Sequence, residues 1–548
     1  MPSLHEAAAR FAQAWHDSDE AVLSEMAVDP LSVDPFLRGV RRAGRQGAIS
    51  SFEVVIEDVT EPVALPVPSP SPSPGALEAP VPYTVEWSSD ASLVPVELEG
   101  VAGFELRDGE WKVALNRSLL WPGILNARRF LVAHRWPRRG AILDREGRPL
   151  ARGSAERRTY PQGTLAGTTI GHLKALTRAD IAAGAIGAVG DVVGGSGMEQ
   201  AYDERLGGRP RISLTVVGAR GRVLRVVGKP HPLTKGRNVH STLDVDIQRA
   251  AEQAHGGMTG GAVVIDPGNG DVLAVVDSSV FGPANYVGAV GVQPFNRALS
   301  GLYPPGSAMK VMTAAAALDS GTVTPTTTVT GPKEYKGVRN FESGEFGSIP
   351  FSTAVQKSVN TAFAQVAEDL GARKLHRYAE RFGFNREPRI GSAATSSFPF
   401  PEDLGDVMWS SVGQAQTLAT PLQMASLAGT IGNGGKRMEP RLASHEPRLG
   451  SRSVTPGTAA AMTRLMESVV QGGTGTAASL PGVSVAGKTG TAEVDVGGER
   501  RNHAWFVAFA PSNAPEVAVA VVAEYGGVGG EVAAPLARSI LQAVLPLI

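Results

Sequence analysis

Hydrophobic positions in the first hundred residues follow two different periods. Leu4, Ala8, Phe11 and Trp15 recur on one face of a 3.6-residue turn, and Ser3 with Glu6 forms a capping box ahead of them, so the pattern predicts a helix at the N-terminus. Asp17-Ser18-Asp19 starts a second helix. The period then falls to two at 52–59 and 83–87, while Phe104-Glu105-Leu106-Arg107 and Glu110-Trp111-Lys112-Val113 flank Asp108-Gly109 as a hairpin. Together these predict a small α+β domain that ends near Pro122.

Two stretches break the periodicity. Residues 63–82 are rich in Pro and Ser, with Ser69-Pro70-Ser71-Pro72-Ser73-Pro74 at the centre, a composition that buries little apolar area and favours an extended polyproline loop between strands. Residues 126–234 are Gly- and Arg-rich with modest periodicity. There Arg128, Arg129, Arg135, Arg138 and Arg139 form a local basic cluster, read as a solvated or ion-paired face.

After Thr242 the elements lengthen. Residues 244–254 read as a helix, and 261–265 and 272–276 as strands joined by Asp266-Pro267-Gly268-Asn269-Gly270. Residues 307–318 form an almost wholly apolar helix closed by Gly321, and a helix apolar all round belongs inside a core. Strands at 504–509 and 516–524 and a closing helix at 533–545 complete the pattern.

Composition narrows the chemistry. A chain of 548 residues should hold two to four domains, and 42% hydrophobic with 19% charged residues is ordinary for a globular protein. A formal net charge of -1 leaves no footprint for nucleic acid. The absence of cysteine removes thiol catalysis, Cys-ligated zinc and disulfides. The ten histidines show no H-E-x-x-H pattern, so neither metal nor cofactor is expected. No stretch reaches the roughly 18 to 20 apolar residues that span a bilayer, and Met1-Pro2-Ser3-Leu4 opens no signal peptide. Either the protein is cytosolic or its export and anchor segment lies outside this chain.

Three short words stand in fixed order: Ser307-Ala308-Met309-Lys310, Ser358-Val359-Asn360 and Lys488-Thr489-Gly490. Each alone is weak, but the ordered set, with Pro304-Pro305-Gly306 before the serine and Thr491-Ala492-Glu493 after the glycine, points to acyl transfer through a serine ester. The prolines end an extended segment, which puts Ser307 at the first turn of the buried helix. Lys310 then lies one turn deeper on the same face, its amine within approach of the Ser307 hydroxyl. A serine hydroxyl needs a base, and burial together with a second cation, Lys488, should lower the Lys310 pKa far enough to supply one. Ser358 and Asn360, two apart in a loop or irregular turn, are assigned to proton relay toward the leaving amine and to holding a substrate amide. Lys488-Thr489-Gly490 should be an edge strand, its glycine admitting the substrate backbone, with Lys488, Thr489 and Thr491 facing a substrate carboxylate. The backbone N–H groups of Ser307 and Thr491 are the natural oxyanion donors, each worth about 3 to 4 kcal/mol.

Beyond these words the chain resembles the class B penicillin-binding proteins, the D,D-transpeptidases of cell-wall synthesis. Arg139-Gly140-Ala141-Ile142-Leu143-Asp144-Arg145-Glu146-Gly147-Arg148-Pro149-Leu150-Ala151 is similar to the opening of that family's pedestal domain. Tyr160-Pro161, Gly197-Met198-Glu199 with Tyr202-Asp203, and Thr242-Leu243-Asp244 with Gln248 follow in family order. So do Asn296-Arg297-Ala298, Gly413-Gln414, Thr420-Pro421-Leu422-Gln423 and Asn433-Gly434-Gly435.

The resemblance implies a multidomain α+β protein: a transpeptidase domain at 241–548, an antiparallel sheet flanked by helices as in serine β-lactamases, preceded by a β-rich pedestal or dimerisation-like domain at 123–240. Residues 1–122, through Trp111, Leu119, Leu120, Trp121 and Pro122, resemble a nuclear-transport-factor-like N-terminal domain. It further implies an enzyme on the extracytoplasmic face of the membrane whose partners are stem peptides ending in D-Ala-D-Ala, β-lactams that acylate the same serine, and elongation or division proteins. Ala308-Met309 departs from the more usual Thr-Phe, and with Val359 should line the cleft.

Three rivals share parts of the pattern. A serine β-lactamase needs a deacylation base, but Glu380-Arg381-Phe382-Gly383-Phe384-Asn385 has the wrong spacing for one, and Glu380 reads as a solvated helix residue. A D,D-carboxypeptidase would differ only in using water as acceptor. A non-catalytic sensor would not need every catalytic group intact.

Overall fold

The computed structural model describes residues 3–46, 49–57, 59–60 and 77–548. Most of the Pro/Ser segment therefore lies outside the described residues. Its last part does not form the loop expected there: 78–82 open the strand Glu78–Ser89. Pro80 and Pro82 are tolerated because the neighbouring strand Ile49–Ile56 pairs only with 83–89, and the last bond from that side runs from the Glu57 N–H to the Pro82 carbonyl, which a proline can supply.

The described chain forms two compact units, residues 1–137 with 208–235, and residues 138–207 with 236–548. In the first, the capping box of Ser3 and Glu6 opens helix Leu4–Asp17, and Asp19 caps Glu20–Met26. With Val33–Gln46 these helices cover an antiparallel sheet ordered Ile49–Ile56, Glu78–Ser89, Val96–Arg107, Glu110–Val113, turned at Asp108 and Gly109, both at positive φ. Phe11, Trp15, Tyr83, Trp87 and Phe104 fill the core between them.

The Gly- and Arg-rich stretch is more regular than its weak periodicity suggests. Arg129–Arg135 pairs with Arg211–Val217, which pairs with Val223–Val227, and Phe130, Leu214 and Val216 join the same core as Trp87 and Trp121. The hairpin at 211–227 thus returns to the first unit across some 80 residues of sequence. The two edge strands bury one residue each and the central one buries a continuous run from Leu214 to Val217, so no alternation of period two marks them.

The second unit is built on a five-stranded antiparallel sheet ordered Val272–Asp277, Gly260–Ile265, Val517–Ala523, Glu499–Ala510, Ala486–Val496. Both faces are covered, so Val517–Ala523 reads V-A-V-A-V-V-A and buries every residue. Ala518, Ala520 and Val522 face one cluster, with helices Lys310–Asp319, Pro421–Gly432 and Pro456–Gly472. Val517, Val519, Val521 and Ala523 face the other, with Val245–His255 and Ala533–Val544.

Upstream in this unit Arg139, expected on a solvated or ion-paired face, is buried and paired with Glu199 and Asp203. Arg158 reaches the other Glu199 oxygen at 2.6 Å. No helix among the described residues is long and apolar enough to cross a membrane.

Candidate active site

The nucleophile's segment is held before any side chain acts. Trp505 Nε1 donates to the Pro304 carbonyl at 2.9 Å, and the Gly306 N–H donates to Gly413 O at 2.9 Å. Gly306, at φ 52°, turns the chain so tightly that Gly306–Met309 is a 3-10 turn and the α-helix begins only at Lys310, ending at Asp319. The single helix predicted from Ser307 is therefore two pieces. Ser307 stands half-buried on the tight turn and Lys310 is 1% exposed at the head of the helix.

Ala308, Met309 and Val359 do not line the cleft as expected from the resemblance. All three are buried in the core of the unit.

Lys488-Thr489-Gly490 lies in Ala486–Val496, the edge strand predicted for it. The glycine serves the protein first: a Cβ at 490 would stand 2.7 Å from Pro305 O and 3.0 Å from the Ala308 N, while one at 306 would overlap the Thr491 carbonyl oxygen. Strand and nucleophile turn meet main chain to main chain, with no room for a side chain between them.

Ser358 adopts φ 59°, and Asn360 begins helix Asn360–Leu370, the irregular turn that S-x-N called for. Here the three words converge. Lys310 Nζ donates to Ser358 O (2.8 Å), Ser358 Oγ (3.2 Å) and Asn360 Oδ1 (2.5 Å), and lies 5.2 Å from the centre of the Phe363 ring. Lys488 Nζ donates to the same Ser358 Oγ at 2.9 Å and to Thr489 O at 3.0 Å.

Lys310 thus spends all three ammonium donors on Ser358 and Asn360, and none of its hydrogen bonds goes to Ser307. Asn360 is committed too: its Oδ1 holds Lys310 and its Nδ2 donates to Arg339 O at 2.8 Å, so it orients the lysine more than it awaits a substrate.

Neither lysine has an acidic partner among the described residues, and burial is the first cause of both pKa shifts. Lys488 is brought down to about 7. Lys310 is held well below the ordinary lysine value by burial and then by the charge of Lys488. A hydroxyl between two amines, one or both neutral, can pass a proton in either direction.

Thr474, which sequence reasoning missed, places its Oγ1 2.6 Å from Thr489 Oγ1, and Thr491 Oγ1 accepts from the Gly529 N–H at 3.2 Å. Gly472-Gly473-Thr474-Gly475, a glycine-flanked threonine after a long helix, was the available signal. Asn385 binds the Phe398 backbone through both ends of its amide, and Glu380 is half-exposed beside His376, so neither supplies a deacylation base here.

This geometry has counterparts. The penicillin binding protein transpeptidase domain model matches residues 260–542, and the penicillin-binding protein dimerisation domain model matches 153–241. Peptidoglycan D,D-transpeptidase PbpA of Mycobacterium tuberculosis is 35% identical over 365 residues, 57% of this chain and 73% of that protein. Peptidoglycan D,D-transpeptidase MrdA of Acinetobacter baumannii is 30% identical over 447 residues, 70% of this chain and 65% of that one.

Among solved structures, Pseudomonas aeruginosa PBP2 in complex with WCK 5153 aligns at a TM-score of 0.64 and 30% identity, over 76% of this chain and 96% of that chain. The penicillin G acyl-enzyme complex of penicillin-binding protein A from M. tuberculosis aligns at 0.61 and 30%, over 75% and 100%. With the transpeptidase model spanning more than half of its length, this chain belongs to the penicillin-binding protein transpeptidase family.

Proposed function

We propose that the protein is a peptidoglycan D,D-transpeptidase that works through a Ser307 acyl-enzyme and is acylated by β-lactams at the same residue. One observation carries the assignment of residues: Ser358 Oγ lies within hydrogen-bonding distance of two buried, acid-free lysine amines beside the Ser307 turn.

In this reading a stem peptide ending in D-Ala-D-Ala lies along the open edge of Ala486–Val496, with its terminal carboxylate on Lys488, Thr489 and Thr491. A carboxylate arriving there favours the charged form of Lys488, which raises the value of about 7 seen without it.

Neutral Lys310 takes the Ser307 proton as Oγ attacks the penultimate carbonyl. The oxyanion is met by the N–H groups of Ser307 and Thr491. The C–N bond breaks as the proton returns through Ser358 to the departing D-Ala amine, and the serine ester remains. An acceptor amine attacks this ester, gives up its proton through the same relay, and restores the Ser307 hydroxyl. Asn360 fixes Lys310 and presents its remaining N–H toward the substrate amide. Gly490 keeps the strand against the nucleophile turn.

The relatives' names support work at the cell wall, and we place the enzyme on the extracytoplasmic face of the membrane with elongation or division proteins as partners. The sequence division at 122 and 240 is retained as a functional one: a nuclear-transport-factor-like spacer, a pedestal and a catalytic domain.

Mass spectrometry of the protein with a labelled penicillin tests the core of this proposal. One penicilloyl group should persist for hours on the Ser307 peptide and be absent in Ser307→Ala. Rapid loss with multiple turnover would favour a β-lactamase, and no adduct would overturn the catalytic reading. A product assay with an added amine separates transpeptidation from hydrolysis by water.

A further inference from the structure

A second site of unusual electrostatics lies in the same unit, apart from the three catalytic words. Arg386, Arg389 and Arg437 line a small recess, open to solvent on one side, that also takes in Ser396, Leu422 and Glu439. Arg437, in strand Lys436–Met438, is only 7% exposed, and its Nε has no hydrogen-bond partner. Its nearest acid is Glu439, at 3.6 Å from Nη1, too far for a hydrogen bond.

This position is built in. Gly383 sits at φ 101°, and a Cβ there would stand 2.5 Å from Arg437 Nε and 2.6 Å from Cζ, so the glycine leaves the space that the guanidinium fills. Arg386 and Arg389 are exposed at the rim, and neither makes an ion pair among the described residues. Among the lining residues three guanidiniums face one carboxylate, and Glu387, exposed between Arg386 and Arg389, is the next acid in the chain, so the recess keeps a positive balance.

The remaining wall is the start of the 12-residue helix Pro421–Gly432. Thr420 caps it by accepting from the Gln423 N–H, and Leu422 contributes one of the N–H groups that a helix start leaves without an intrahelical partner. Burial and the charge of Arg386 both act against the charged form of Arg437, with Glu439 the opposing influence. A buried guanidinium with an unpartnered Nε and one long ion pair is destabilising, and a bound anion would offset this.

We propose that the recess binds a phosphate-type oxyanion, gripped from the buried side by Arg437 and from the rim by Arg386 and Arg389. A tetrahedral phosphoryl group, whether in inorganic phosphate or in a phosphodiester, offers oxygens to donors that approach from several sides, which a planar carboxylate does not. The group could be free phosphate or the phosphodiester of an envelope lipid.

The test titrates the whole chain with inorganic phosphate and with chloride at equal ionic strength, by calorimetry and thermal unfolding. Phosphate should bind saturably and raise the unfolding temperature, where chloride does not. The rim variant Arg386→Gln/Arg389→Gln, which leaves the buried residues untouched, should weaken phosphate binding about tenfold or more. Arg437→Gln should abolish it.

A phosphate effect no larger than that of chloride, or a rim variant that binds phosphate as the parent does, would overturn the proposal. Co-sedimentation with phosphatidylglycerol vesicles, absent with phosphatidylcholine and lost in the rim variant, would assign the site to a lipid phosphodiester. Saturable phosphate binding without vesicle binding would assign it to a soluble phosphate.

Discussion

Two buried groups of cations in the second unit follow opposite rules. Around Glu199, Arg139 and Arg158 lie wholly inside the protein with their charge answered: Glu199 takes Arg139 on one oxygen and Arg158 on the other, Asp203 takes Arg139 again, and Arg158 donates to the carbonyls of Gly140 and Gly153. Around Ser358, Lys310 and Lys488 are as deeply buried, but they face hydroxyls, carbonyls and an amide, with no carboxylate near. Guanidiniums keep their protons in any surroundings, so the first group can only hold the fold. Ammonium groups in an acid-free pocket lose theirs readily, and the second group can therefore do acid–base work.

Replacing one member of each group separates them. Lys310→Met should slow penicillin acylation by roughly 10²- to 10⁴-fold, the usual range for loss of a general base. It should leave thermal stability equal to or above that of the parent, because a thioether suits the pocket better than an amine. A destabilised Lys310→Met would show that this lysine also holds the fold, and would erase the contrast.

Glu199→Gln should do the reverse. Breaking a buried pair that serves two arginines should cost about 3 to 5 kcal/mol in urea unfolding. The fraction that remains folded should still form the Ser307 adduct at the parent rate.

The pH dependence of stability carries the comparison further. Lys488 titrates near 7 when folded and at the ordinary lysine value of about 10.4 when unfolded. Between those values the unfolded chain binds more protons, so stability should rise as pH rises through this window. The gain is complete once both states are neutral and absent below the folded value, where both are charged. In Lys488→Met this contribution to the rise should vanish, as urea midpoints near both ends of the window would reveal. An identical pH slope in parent and variant would contradict the acid-free reading of the pocket.

The smallest effect is expected at Thr474→Val, which removes one side of the Thr474–Thr489 hydroxyl pair. It should cost about 1 kcal/mol of stability and weaken carboxylate recognition, read as a raised concentration for half-maximal acylation with the maximal rate kept.

Much of this was legible in the sequence. The N-terminal capping box, the hairpin at Asp108-Gly109, the sheet strands and the convergence of the three catalytic words all follow from local periods and from chemistry carried by a few residues. Other features depend on partners distant in the chain. The carbonyl of Arg339 that binds Asn360 and the returning hairpin at 211–227 leave no local mark. The break between the 3-10 turn and the helix at Lys310 arises because Trp505 and Gly413 hold the preceding backbone, so propensity at 307–310 could not reveal it. Arg437 looks like a surface residue between Lys436 and Met438 until Gly383 makes space for it.

The contact of main chain on main chain at Gly306 and Gly490 also bears on inheritance. A codon change at either position adds a carbon pressed against a backbone oxygen, so any substitution there must push the strand and the nucleophile turn apart. A lineage exposed to a poison that reaches Ser307 then finds its escape more readily in side chains around the cleft than at these two glycines, where every change disturbs the nucleophile itself.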